Sequence, residues 1–185
     1  MTSIELHRRA LARATEVVTA VRGEDLARPT PCAGWDLEAL LAHMTGQNVG
    51  FATAVIDAEP ALVDFAPLPH GGWPASADAL TAALAGAPAD RAVLLAEIHP
   101  TRRFPLRVVV GMHLLDTVVH TWDVTTALGA GERPDDELVA AVLEQARLVP
   151  AGPARTAPGA AFAPALPAVD ADPWAEALAL LGRRA

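Results

Sequence analysis

The stretch from Gly111 to Gly129, GMHLLDTVVHTWDVTTALG, decides the fold. Its Met, Leu, Val and Trp residues recur at helical spacing, and most of that stripe wants burial. Asp116 and His120 stand four residues apart on it, with His113 three before Asp116. Residues at i, i+3 and i+4 share a helix face. A carboxylate and two imidazoles on a buried face need hydrogen-bond partners or a cation. The stretch therefore reads both as a core helix, from about Pro105 in its first turn to Leu128 before a C-capping Gly129, and as a site.

Composition supports a helical frame. The 185 residues suffice for one domain with a real core, so residues 1–185 are expected to form a single domain. Hydrophobic residues make up 52%, aromatic ones only 4%, and Ala is in excess, which favours an all-α fold. The formal charge of −8, with a pI near 5.1, argues against a nucleic-acid or anionic-membrane surface. Cys32 is the one cysteine, so no internal disulfide is expected. The opening MTSIELHRRA has no signal-like apolar stretch, and no apolar run nears the roughly 18 residues of a membrane span. A cytoplasmic protein is expected.

Outward from the key stretch, further helices are expected. One runs over Ile4 to Val21, capped by Thr2 or Ser3 and ended by Gly23; His7, among charged neighbours, reads as solvated. Pro29 and Pro31 force an extended segment before a helix that Asp36 caps. That helix carries Leu37, Leu40, Leu41 and Met44, with His43 at the edge of the stripe, and reaches about Ala58. Pro60 to Pro74 reads as a loop able to cover a pocket, its His70 an exposed loop residue before a substrate contact. Ser76 is expected to cap a helix that ends at Gly86, and a helix spans Glu137 to Val149. Residues 92–98 fit helix or strand, and HPTRRFPLR fits a turn or one arm of a small hairpin. The tail from Pro150 is read as an ordered wrap anchored by Phe162, Leu166 and Val169, followed by a short helix from Pro173 to Leu181.

His43, Asp116 and His120 form a candidate ligand set. Two imidazoles and one carboxylate leave a coordination position open, as catalytic zinc sites do, and also suit iron(II). Spacing alone leaves a second reading, a hydrogen-bonded Asp–His pair in the core. Asp123, one turn past His120, either orients that imidazole through its second nitrogen or bonds locally or to an arginine. His113 lies about 10 Å along the axis from His120, too far for both to ligate without distortion. Trp122 reads as core or pocket wall. Cys32 reads as a small buried hydrophobe, with a nucleophilic role or a pairing with His43 as the alternatives.

Two stretches together resemble a known family. Thr30-Pro31-Cys32-Ala33-Gly34-Trp35-Asp36 with Leu40-Leu41-Ala42-His43, and Asp116-Thr117-Val118-Val119-His120-Thr121-Trp122-Asp123, are similar to the paired signatures of the DinB-like, mycothiol-dependent maleylpyruvate isomerase-like superfamily. The ending, FAPALP (162–167) and then Leu180-Leu181-Gly182-Arg183, resembles its actinobacterial metal-binding branch. The resemblance implies a four-helix bundle, with short extra helices, holding a divalent metal, commonly zinc, at one end. By position its ligands would be His43, Asp116 and His120; Asp123 is expected to support His120, and Trp35, His113 and Trp122 to line the pocket. It implies a mycothiol-dependent S-transferase or isomerase in which the metal activates the thiol toward a small electrophile.

Two departures qualify what carries over. The isomerase is a longer chain with an extra C-terminal domain. Its acidic ligand is Glu, whereas Asp116 is one methylene shorter, which bears on metal distance and leaves nickel or iron beside zinc. The rival readings are a thiol-independent metalloenzyme of hydrolase or cyclase type in a biosynthetic pathway, and a non-enzymatic protein that binds a metal or ligand. A small-molecule partner is expected in the enzyme readings, and a homodimer through an exposed apolar helix face is a further expectation.

Overall fold

The computed structural model describes residues 2–57, 59–157, 160–167 and 172–184. Six helices and one small hairpin follow in order: α1 (Ser3–Ala20), α2 (Leu37–Ile56), α3 (Trp73–Gly86), β1 (Ala92–Leu94), β2 (Arg103–Pro105), α4 (Leu106–Ala127), α5 (Asp136–Ala146) and α6 (Pro173–Leu180). The hairpin is antiparallel, with Val93 opposite Phe104, and it feeds directly into α4. The fold is all-α apart from the hairpin, as composition led one to expect.

Local chemistry sets the helix ends. Thr2 accepts from the Glu5 amide while the Glu5 carboxylate accepts from the Thr2 amide, a reciprocal capping box. The Asp36 carboxylate accepts from the Ala39 amide and starts α2. Three boundaries differ from expectation. α1 ends at Ala20 with an extended Val21, and Gly23 instead opens a short 3-10 turn. α3 begins at Trp73 because Pro74 suits a first helical turn. Ser76 is therefore inside that helix, buried, donating to the Trp73 carbonyl and accepting from Asn48. α5 stops at Ala146. α2 ends at Ile56, within two residues of the expected end, and the anchor Val169 lies outside the described residues.

His7 is the main correction in the core. It is 1% exposed, on the same α1 face as Ala10, Leu11, Ala14, Val17 and Val18. Helical phase buries it although its sequence neighbours Arg8 and Arg9 are charged.

The core has two connected parts. α1, α2, α3, the hairpin and the first half of α4 surround one. The second half of α4 packs with α5 and α6 around the other, where Trp122 meets Trp174 edge to face at 6.4 Å. Segment 59–72 lies along α2. Gly46 and Gly50, one turn apart, leave the space that the Ala66 carbonyl and the Phe65 ring fill. Arg155 is buried in the tail and donates to the carbonyls of Val149, Pro150, Ala163 and Leu180, tying the ends of α5 and α6 together. Phe162 packs on the second core and the Leu166 amide bonds the Ala179 carbonyl, so the described part of the tail is an ordered wrap.

Candidate metal centre

α2 and α4 bring three donors together. His43 Nε2 lies 3.7 Å from Asp116 Oδ1, and His120 Nε2 lies 3.2 Å from the same oxygen. All three atoms fall within 4.8 Å of one another. A tetrahedral metal with bonds of about 2.0–2.1 Å spaces its ligands about 3.3 Å apart, a value the two distances bracket. His43 and Asp116 are each 21% exposed at the side chain, so the cluster opens to solvent on that side.

His120 carries the argument for a cation. Its Nδ1 lies 2.9 Å from Asp123 Oδ2, and the carboxylate requires the ring to donate there. A neutral His120 then turns its Nε2 lone pair toward the Asp116 carboxylate. Two acceptors at that distance need a positive charge between them, a proton or a metal ion. With protons alone, burial opposes an imidazolium at His120, but the Asp116 charge and the bonds to Asp116, Asp123 and Cys32 outweigh it and raise its pKa well above the usual range. Burial likewise opposes ionisation of Asp116, and the charge and hydrogen bonds of His120 and His43 overcome it, holding that carboxyl well below the usual range. The donor set thus fits a divalent ion in composition, spacing and tautomer, and two nitrogens with one carboxylate suit zinc or a first-row neighbour.

Behind the donors lies a second layer. Asp123 is fully buried and accepts from Arg183 through Nε at 2.9 and 3.1 Å and through Nη2 at 2.7 Å. Cys32 Sγ lies 3.2 Å from Asp123 Oδ2 and 3.1 Å from Arg183 Nη2. Cys32, His120 and Asp123 are themselves close enough to share a metal. The guanidinium already supplies the positive charge there, so this group is a hydrogen-bonded support. Cys32 pairs with Asp123 and Arg183, and its histidine neighbour at 3.7 Å is His120 in place of His43. Gly182 lets the chain turn Arg183 inward: its φ is 77°, and a Cβ there would meet Ala163 at 2.6 Å.

The remaining residues singled out in the sequence separate clearly. Trp35 packs on His43 at 4.9 Å between ring centroids and lies 6.4 Å from His120, forming one wall of the cluster. His113 is buried one turn before Asp116, its Nδ1 2.9 Å from His7 Nε2 and 3.0 Å from Thr117 Oγ1, with Phe51 edge-on at 4.7 Å. Burial holds this pair neutral, lowering His7 to about 3 and His113 to about 4. Trp122 faces Trp174 and also lines a separate cavity of about 330 Å³ with Arg9, Arg13 and Leu138, apart from the donors. His70 lines a surface hollow with Glu38 and Ala42. Among the described residues no hydrogen bond or ion pair joins His70 to the donor set.

Three residues around the site were not anticipated from sequence. Gln47, one turn past His43 on α2, donates its amide to Glu97 Oε2 at 3.1 Å. Arg183, which pairs with Asp123, is the third. The position of Gln47, four after His43, was a readable signal; Glu97 and Arg183 reach the site only through tertiary contacts.

Comparison with known proteins agrees with this architecture. The chain is 32% identical to two Mycobacterium tuberculosis proteins, Uncharacterized protein MT0763 and Uncharacterized protein Rv0738, each alignment covering 99% of this chain and 98% of the relative. The crystal structure of the mycothiol-dependent maleylpyruvate isomerase superposes with a TM-score of 0.54 at 14% identity, over 78% of this chain and 66% of that one, and shows a shared fold. The sequence profile of the mycothiol maleylpyruvate isomerase N-terminal domain matches residues 7–125, which include all three donors and Asp123. The chain belongs to the mycothiol maleylpyruvate isomerase N-terminal domain family.

Proposed function

We propose that this protein is a divalent-metal-dependent enzyme, with zinc as the leading metal, that uses a thiol such as mycothiol in an S-transfer or isomerisation on a small electrophile. The observation that carries the reading is the meeting of the His120 Nε2 lone pair, the Asp116 carboxylate and His43 Nε2 at one solvent-accessible point. Family membership supports the thiol. His43, Asp116 and His120 would hold the metal, which when bound supplies a Lewis-acidic centre that lowers a thiol's pKa.

The chain's own residues have defined tasks in this reading. Asp123 keeps the Nδ1 proton on His120 and so presents Nε2 outward. Arg183 balances the buried charge of Asp123, which keeps that carboxylate from taking the proton. Trp35 shields the His43 side of the cluster and offers an aromatic face to an incoming group.

Elemental mass spectrometry of the purified protein tests the metal. About one zinc, nickel or iron per chain is expected, lost in both His43→Ala and His120→Ala. Protein that stays metal-free after loading would overturn the reading. Turnover of small electrophiles by loaded protein that is indifferent to added thiol would replace it with chemistry based on water.

A further inference from the structure

Among the described residues Glu97 is an acid with no ion-pair partner. It sits at the tip of the hairpin, in the turn after β1, and as a residue it is exposed. Its carboxyl nevertheless turns inward, where the buried Gln47 amide holds Oε2 at 3.1 Å. Gln47 follows the proposed ligand His43 by one turn, and residues four apart on a helix have neighbouring side chains. The carboxyl is therefore held by a neutral amide one turn along α2 from His43, which fixes its place without neutralising its charge. Among the described residues Oε1 has no hydrogen-bond partner and the carboxylate has no ion pair. The titratable groups that act on it are Asp116 from α4 and His43 from α2. Burial raises its pKa, with Asp116 adding to the rise and the Gln47 bond and His43 opposing it.

We propose that Glu97, positioned by Gln47, is the proton acceptor for the thiol that binds at this centre. The proposal rests on the metal and thiol reading above. In the step, the S–H bond breaks, its electron pair stays on sulfur, and the proton forms an O–H bond on Glu97 Oε1. No oxidant or further reactant is needed. The same carboxylic acid then stands ready to return the proton to the product. An acid of raised pKa suits that exchange better than an ordinary carboxylate, because a proton acceptor works best with a pKa near the operating pH.

Calorimetry of mycothiol binding to zinc-loaded protein tests this without turnover. Titration at about pH 7.5 in Hepes and in Tris, whose ionisation heats differ, counts the protons released per thiol. Thiolate formation with no internal acceptor releases about one proton to the buffer. Glu97→Gln is expected to release close to that number. The unchanged protein is expected to release fewer at the same pH. Gln47→Leu, which frees the carboxyl from its anchor, is expected to fall between them. The exposed position of Glu97 leaves the fold of Glu97→Gln intact, and equal metal content and melting temperature verify it. Equal proton release from the two proteins, with thiol bound by both, would overturn the role of Glu97 and leave the thiol reading standing. No thiol binding by zinc-loaded protein would overturn both.

Discussion

Removing the guanidinium of Arg183 should be among the costliest single changes outside the apolar core. Asp123 is fully buried and its carboxylate receives three close contacts from Arg183, between 2.7 and 3.1 Å. Arg183→Met keeps most of the side-chain volume but leaves the carboxylate, among the described residues, with His120 and Cys32 as partners. Breaking a buried pair from one side costs about 3–5 kcal/mol, because the remaining charge stays desolvated. For 185 residues the unfolding entropy is about 0.39 kcal/mol per degree. The expected fall in melting temperature is therefore about 8–13 °C. Urea unfolding should show a lower midpoint at unchanged slope. Asp123→Asn combined with Arg183→Met should recover a large part of the loss, since the uncompensated charge is then gone. A loss below about 1 kcal/mol, the worth of an exposed ion pair, would refute the reasoning. So would simple additivity of the two substitutions.

Two further predictions concern the core. His7 and His113 are held near 3 and 4 by burial, whereas both titrate near 6.5 when unfolded. Below pH 6.5 the unfolded chain binds more protons, so stability falls as pH drops, by up to about 1.4 kcal/mol per unit for each histidine, until the folded-state values are reached; above 6.5 this contribution is complete and flat. Urea midpoints at about pH 7.5 and about pH 5 should show the decline, and His7→Leu should flatten it; an unchanged slope would refute the assignment. Gly46→Ala should destabilise by about 1–3 kcal/mol, because its Cβ would occupy the space of the Ala66 carbonyl. That exceeds the roughly 0.5–1 kcal/mol of helix propensity gained, and Gly86→Ala, with open space around it, is the control; equal midpoints for the two variants would count against the close approach.

The sequence is most readable where a signal is local. Thr2 with Glu5, Asp36 before a leucine stripe, and Gly129 after α4 each mark a helix end by chemistry confined to a few residues. The placement of Asp116, His120 and Asp123 on one helix was readable for the same reason. His7 was misread because charged neighbours in sequence outweighed its helical phase, which puts it in line with Ala10, Leu11 and Ala14. The start of α3 was misread because Ser76 looked like a cap, while Pro74 held the stronger positional signal. Glu97 and Arg183 were beyond local reading. Each joins its partner across 50 and 60 residues respectively, and nothing near either one in the chain marks the pairing.

The pairing of Arg183 with Asp123 also imposes an order on biosynthesis. Arg183 follows its carboxylate by 60 residues, so a ribosome adding about 5–20 residues per second delivers it about 3–12 s later. During that interval all three proposed donors have been synthesised, while the charge that steadies the His120 support has not. A nascent chain therefore meets the cell's metal ions with its donors made and their backing still to come.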